Sequence, residues 1–533
     1  MLSIDTALFF VWAIHVVGSM NRTLQPSVCH ERARGLHIFL FLAEFCVTLH
    51  SKHNDSMLSN KTSEALLAKI RGGMPMGGAE KLRLIVELSI PSILAQITSV
   101  LMFYIDASMV GSLGTEASAA IGLVEPASWL FGSLTAAASM GFAVQVAHFV
   151  GANDFVQARR VMKHGFLCCL LFSLLLMAVA GGISGRLPVW LRGGADIQQP
   201  ASAYFFIFSM AAPFFMLENL SSALLKSAGD MRRPSAVAVL ACVLDVVFNF
   251  LLIFPSRTIT VLGLRLPVPG MGLGVEGAAL GTALAYAVTS LLLVYYTAVR
   301  NPILAWRLDR GPFVWQHKYI REAVRISAPM ALQYVLMNGA QIVSTMIVAP
   351  LGNVAIAANS FAVTAESLCY MPGYGVGDAA STLVGQAFGA GRRDLCRSFA
   401  WMTIGIGMGV MALMGVVMYV FAPQMIGFLT PVEAIRHLGC RVLRIEAFAE
   451  PFFAASIVAF RVCLGAGDTI RPAVMNLASM WCVRLTLAYV LAQRYGLAGV
   501  WTAMALELTF RGCIFLVRIA RGRWMERMGT QNI

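Results

Sequence analysis

Apolar runs of about twenty residues, each closed by a short polar connection, recur along the chain from residue 81 onward. A hydrocarbon core about 30 Å thick takes about 20 helical residues to cross, so each run predicts one membrane-spanning helix. The first set covers 84–110, 117–150, 165–187, 201–225, 235–254 and 274–298. A basic stretch interrupts the pattern over 301–322, and a second set follows at 323–350, 355–388, 399–421, 436–464, 473–491 and 496–517. The expected fold is an all-α polytopic membrane protein with twelve transmembrane helices, six on each side of a linker.

Residues 1–80 break the pattern. Their two apolar stretches, 7–18 and 36–49, are too short to span comfortably. His15, His30, His37, His50 and His53 crowd into the same segment. A metal-binding or targeting tail would use those histidines. The preferred reading is an N-terminal extension from an upstream start, with Met57 or Met74 as the working start. No small-residue cleavage site follows a charged-then-apolar run, which argues against a secretory signal.

Composition agrees with the spans. Hydrophobic residues make up 58% of the 533 and charged ones 13%, against roughly 25% charged in a soluble domain. A soluble enzyme, a disordered chain and a disulfide scaffold are excluded. Alternate connections carry the positive charge: Lys81/Arg83, Arg159/Arg160/Lys163, Lys226/Arg232/Arg233, the linker, Arg392/Arg393/Arg397, Arg471, and Arg518/Arg521/Arg523/Arg527. The intervening connections hold only Arg192, Arg257, Arg265 and Arg494. The positive-inside rule then places both termini and the linker in the cytoplasm of a plasma (inner) membrane. It also spreads the net charge of +13 along one face, which excludes a nucleic-acid patch. Cysteines such as Cys168, Cys169, Cys242 and Cys482 lie in apolar runs as small hydrophobes. No HExxH, zinc spacing or P-loop occurs, so neither an enzyme nor a cofactor is expected, and any pumping must draw on an ion gradient.

Shifting the chain by 238 residues superposes its landmarks: Ser89 and Pro91 on Ser327 and Pro329, Leu113-Gly114 on Leu351-Gly352, Gly151-Ala152 on Gly389-Ala390. The same offset carries Ala228-Gly229-Asp230 and Arg233-Pro234 onto Ala466-Gly467-Asp468 and Arg471-Pro472. Six helices per repeat keep both halves in the same orientation. Parallel repeats of this kind enclose a site between two bundles and rock about it. The expected division is an N-lobe over 81–300, the linker, a C-lobe over 323–520 and a tail over 521–533.

The first span, SIPSILAQITSVLMFYIDASMVGSLG, the connections VGANDFVQARR and LVGQAFGAGRRD, and the paired turns AGDMRRP and AGDTIRP resemble the multidrug and toxic compound extrusion (MATE) family over about residues 81 to 521. The resemblance implies an antiporter that expels organic, chiefly cationic, drug-like molecules in exchange for protons or sodium, working as a monomer in the bilayer. A related flippase for a lipid-linked oligosaccharide or peptidoglycan precursor is the alternative. It would need a basic cavity, whereas the N-lobe spans hold acids and essentially no Lys or Arg, and the C-lobe offers Arg461, Arg484 and Arg511.

Charges inside a bilayer are costly enough to be functional by default. Asp106 lies fifteen residues beyond Pro91, about 22 Å along a helix. Asp245 and Asn249 lie four apart and share one helix face. By resemblance to the proton-coupled branch these three are the coupling site, although the Asp-then-Asn order is the reverse of the commoner one. The competing role for Asp106 is a cap near Gly111. The sodium-coupled branch uses an acid in helix seven where this chain has Met337, so sodium is the second choice. Glu218, Glu366, Asp378 and Glu450 are the secondary acidic candidates, and Glu507 with Arg511 reads as a self-neutralising pair. Pro91 and Pro329 are candidate bend points, and the AGDxxRP elements read as turns with permissive Gly, capping Asp and helix-starting Pro.

Overall fold

The computed structural model describes residues 56–529, apart from 112, 192, 262–263, 310, 312 and 431. The two short apolar stretches, their five histidines and the last four residues of the tail lie outside the described residues. The helices are α1 (Ser56–Arg71), α2 (Gly78–Gly111), α3 (Thr115–Gly151), α4 (Phe155–Ile183), α5 (Ala195–Met210), α6 (Ala212–Ser227), α7 (Arg232–Ile253) and α8 (Gly274–Tyr295). After the linker come α9 (His317–Val348), α10 (Asn353–Gly389), α11 (Arg393–Leu429), α12 (Glu433–Glu446), α13 (Glu450–Gly465), α14 (Ile470–Ala478) and α15 (Leu485–Arg521).

Among the described residues, nine helical stretches are long and apolar enough to cross a membrane. Two further crossings are bent pairs, α5 with α6 at 45° and α12 with α13 at 59°. The 52-residue stretch Ile470–Arg521 divides at Gly496, whose φ of 60° and ψ of −140° leave the helix. Twelve crossings result. The fourth and tenth, expected as single helices, are broken, and both breaks fall beside a proline in the following turn, Pro213 and Pro451, which lacks the N–H that would continue the ladder. Pro91 and Pro329 behave differently and lie inside α2 and α9 without ending them.

The connection after α7 departs from the all-helical expectation. It forms an antiparallel hairpin of β1 (Pro255–Val261) and β2 (Leu264–Met271). At the opposite end lie the linker and the AGDxxRP turns. Gly229 and Gly467 take φ of 95° and 75° there, values that favour glycine. Asp230 caps α7 by accepting from the Arg233 N–H at 3.2 Å, whereas Asp468 instead pairs with Arg518.

The halves cross at this linker end around a pseudo-twofold axis. A Cβ on Gly151 would lie 2.0 Å from the Gln386 carbonyl oxygen, and one on Gly389 would lie 1.9 Å from that of His148. His148 and Gln386 are themselves 238 residues apart. The His148 Nε2 lies 2.7 Å from the Gly465 carbonyl, and Gln386 Nε2 donates to the Ser227 carbonyl at 2.9 Å. Close approaches between α3 and α9 continue over 138–145 and 319–330, including Gln145 Nε2 donating to Tyr319 O at 3.0 Å.

Helix α1 corrects the view of residues up to 80 as an appendage. Leu66, Leu67, Ile70 and Met76 join the core formed by α10, α11 and α13. Ser63 donates to Glu87 of α2, Asn153 Nδ2 donates to the Arg71 carbonyl at 3.0 Å, and Arg392 donates to the Met74 carbonyl at 3.0 Å. The expected boundary at residue 81 therefore cuts through packed structure. The linker is docked too: Lys163 of α4 pairs with Asp309 at 2.9 Å, and Arg159 donates to the Ile303 carbonyl at 2.9 Å.

Candidate functional site

In the N-lobe the fold gathers residues far apart in sequence. α7 holds Asp245 and Asn249 on one face, and α2 brings Asp106 against them. The Asn249 amide donates one hydrogen to Asp106 Oδ1 at 2.9 Å and the other to Asp245 Oδ2 at 3.1 Å. Asp245 and Asn249 are buried, and Asp106 is half-buried. Asp245 Oδ1 and Asn249 Oδ1 have no hydrogen-bond partner. A single amide thus bridges two carboxylates, with acceptor capacity left over for a proton or cation. Asp106 is engaged in this bridge, which its alternative role as a terminal cap does not require.

Gly281 of α8 makes this possible. A Cβ there would lie 2.1 Å from Asn249 Oδ1, so any larger side chain would displace the amide. Glu218 of α6 stands apart, accepting from Thr289 at 3.1 Å.

The C-lobe is arranged otherwise. Asp378 of α10 accepts from Lys226 at 2.7 Å and from Ser92 of α2 at 3.1 Å, and lies 3.4 Å from Arg461. Lys226, expected as a connection charge, sits in the last turn of α6 and ties the two lobes through this acid. Asp378 is therefore a compensated charge at the base of a cavity of about 180 Å³. Glu366 lines a larger cavity of about 400 Å³. Glu446 and Glu450 flank the break between α12 and α13, fully buried with no hydrogen-bond partner on any carboxylate oxygen. Glu507 lies 3.3 Å from Arg511, the expected pair, and also accepts from Ser479. Among the described residues no group of three His, Cys, Asp or Glu is placed to hold a metal ion.

The family profile named MatE matches this chain twice, over 91–251 and 329–490, and the two matches start at the same 238-residue offset as the internal repeat. The chain belongs to the MatE family. It is a transporter and not an enzyme. Similar curated proteins include a probable multidrug resistance protein NorM of Thermotoga maritima, 24% identical over 83% of this chain and 93% of the relative. Another, of Pseudomonas aeruginosa and with the same name, is 29% identical over 80% and 86%. An outward-facing multidrug resistance MATE transporter of the MOP superfamily matches the fold with a TM-score of 0.75 at 21% identity, covering 85% of this chain and 97% of that one. A MOP superfamily transporter from Pyrococcus furiosus, described by a reversed polarity of its binding pocket, matches with a TM-score of 0.76 at 20% identity, covering 84% and 97%.

Within this MatE chain, the residues that sequence reasoning missed are Gly281, Ser92 and the bridging role of Lys226. Gly277 and Gly281, one turn apart in GVEGAALG, were the available signal for close packing of α8 on α7. A Cβ on Gly277 would lie 2.6 Å from the Leu252 carbonyl. Nothing local marks Ser92 or Lys226, because their partner Asp378 is 286 and 152 residues away.

Proposed function

We propose that this protein exports drug-like small molecules in exchange for protons, with Asp106, Asn249 and Asp245 as the coupling site. The observation that supports this reading is the single amide shared by two carboxylates. When both acids are ionised their charges repel across the amide, and a proton on either relieves that repulsion. Proton occupancy therefore changes how firmly α2 is held to α7. The same α2 carries Ser92, which binds Asp378 of the other lobe fourteen residues away, about 21 Å along the helix. α2 is the mechanical link between the proton site and the contact that shuts the linker end.

The basic connections support a reading with the linker end and both termini on the cytoplasmic side of the plasma membrane. In this reading protons enter from outside, load the triad and draw α2 against α7; release inside restores the repulsion between the two carboxylates. Alternating access then requires the Lys226–Asp378, His148–Gly465 and Gln386–Ser227 contacts to break together. The expectation of cationic cargo came from counting acids in the spans, yet none of the N-lobe acids lines the two cavities. Imposing proton and sodium gradients separately on proteoliposomes tests the reading: cargo should accumulate under the proton gradient alone, and accumulation under sodium alone would overturn it.

A further inference from the structure

Helix α12 carries charge that topology does not account for. It begins at the hairpin end, where α11 finishes, yet it holds Arg436, His437, Arg441 and Arg444. The spans expected from sequence place these residues inside the tenth crossing. The positive-inside bias favours basic residues at the linker end and not here. His437, Arg441 and Arg444 repeat at four and three residues, so they form one stripe, and all three are exposed. Arg441 has no ion-pair or hydrogen-bond partner among the described residues.

Two elements place this stripe at the edge of the hydrocarbon. On α11 the exposed apolar side chains Leu413, Val416 and Val420 run up to Phe421, and the next exposed residue is Gln424. Along α12 the exposed residues are Glu433, Ala434, His437, Arg441 and Arg444. The next one is Phe448, 74% exposed in the break before α13. The two boundaries meet. Arg444 Nε donates to the Tyr419 carbonyl at 3.3 Å, and its guanidinium lies 5.5 Å from the centre of the Tyr419 ring. That centre lies 5.6 Å from the centre of the Phe448 ring. Arg441 is three residues, about 4.5 Å along the helix, further from the hydrocarbon. Aromatic rings below and guanidiniums above follow the order in which a bilayer passes from chain to phosphate.

We infer that Arg441 and Arg444 hold the phosphate of an anionic phospholipid against α12, with its chain lying over Phe448 and Val420. A guanidinium fork matches two phosphate oxygens, and the Nη groups of Arg444 remain for this once Nε is engaged by Tyr419. A zwitterionic headgroup is the poorer match, because its ammonium would need an acid. The one exposed acid on α12, Glu433, is eight residues from Arg441, about 12 Å along the helix. The inference needs the membrane crossings alone, and neither the coupling ion nor the cargo.

The test titrates the purified full chain with phosphatidylglycerol and with phosphatidylcholine of the same chains, and counts bound lipids by native mass spectrometry. The unmodified protein should bind phosphatidylglycerol at least about fivefold more tightly. A double variant, Arg441→Gln with Arg444→Gln, should lose one phosphatidylglycerol per chain and keep its phosphatidylcholine binding. An unchanged number and affinity of phosphatidylglycerol in the variant would overturn the inference, as would equal binding of the two lipids by the unmodified protein. Equal loss of both lipids by the variant would overturn it too, since a general change of the surface does the same. Glycerophosphoglycerol, the headgroup without its chains, should not displace the lipid at equal concentration. Displacement would make a free phosphate ester the occupant and overturn the lipid.

Discussion

The two lobes share a backbone plan and differ in their buried chemistry. In the N-lobe, Asp106, Asn249 and Asp245 form one hydrogen-bonded group with no basic partner. In the C-lobe, Arg461, Arg484, Arg511 and Glu366 line a cavity, and Arg511 pairs with Glu507. The 238-residue offset places Ser344 opposite Asp106, Val483 opposite Asp245 and Leu487 opposite Asn249. It also places Ser128 opposite Glu366, Met140 opposite Asp378 and Ala223 opposite Arg461. What the repeats preserve are the turns and the glycine crossing; what they vary are these buried charges. The symmetric part builds the hinge, and the asymmetric part divides the labour.

Removing charge from each lobe in turn should separate their roles most sharply. Asp245→Asn and Asp106→Asn should both reach the membrane folded and lose proton-driven accumulation down to the uncoupled background. Glu450→Gln, in the other lobe, should keep the unmodified pH dependence of transport. Reconstituted transport at several external pH values separates these outcomes.

Removing residues before Met74 should cost stability next. Leu66, Leu67 and Ile70 are almost fully buried on the linker end, and each contributes roughly 1.5–3 kcal/mol as an upper estimate. A chain beginning at Met74 should melt several degrees lower, while one beginning at Met57 should melt like the full chain. Equal melting of the two shortened chains would show that the packing of α1 adds no stability.

The crossing itself makes a symmetric prediction. Gly151→Ala and Gly389→Ala each drive a methyl into the opposing backbone, and overpacking of this kind costs about 1–3 kcal/mol. Both should open the linker end by similar amounts, read as longer spin-label distances across it. Unequal effects would show that the pseudo-twofold contact is not shared equally.

The smallest effect concerns the linker. The hydrogen bond from Lys163 holds the Asp309 carboxyl below its usual range. The folded state therefore binds that proton less tightly than the unfolded chain. Its stabilisation is present above the unfolded carboxylate value, about 4, and is lost as pH falls through the folded one. An ion pair of this kind contributes at most about 1 kcal/mol. Asp309→Asn should lower the melting temperature slightly at pH 6 and lose less than the unmodified protein does between pH 6 and pH 3.

Sequence pattern revealed the spans, the repeat and the N-lobe acids because each depends on composition or on spacing within one helix. Asp245 and Asn249 are legible as a face because they are one turn apart. That Asn249 also holds Asp106, 143 residues away, is a matter of helix packing and has no local signature. Lys226 was hidden by lying at a helix end, where a basic residue reads as topology. The hairpin at 255–271 was hidden by its prolines and arginines, which read as loop, and α1 by an apolar face too narrow to stand out from an extension.

The central claim is that the N-lobe triad carries the coupling proton. The direct measurement is cargo accumulation in proteoliposomes under an imposed proton gradient, at equal sodium on both sides, for the unmodified protein and for Asp245→Asn reconstituted at the same level. The unmodified protein should accumulate cargo, and the variant should exchange cargo down its own gradient without accumulation. Accumulation by Asp245→Asn at the unmodified rate and with unchanged pH dependence would contradict the central claim.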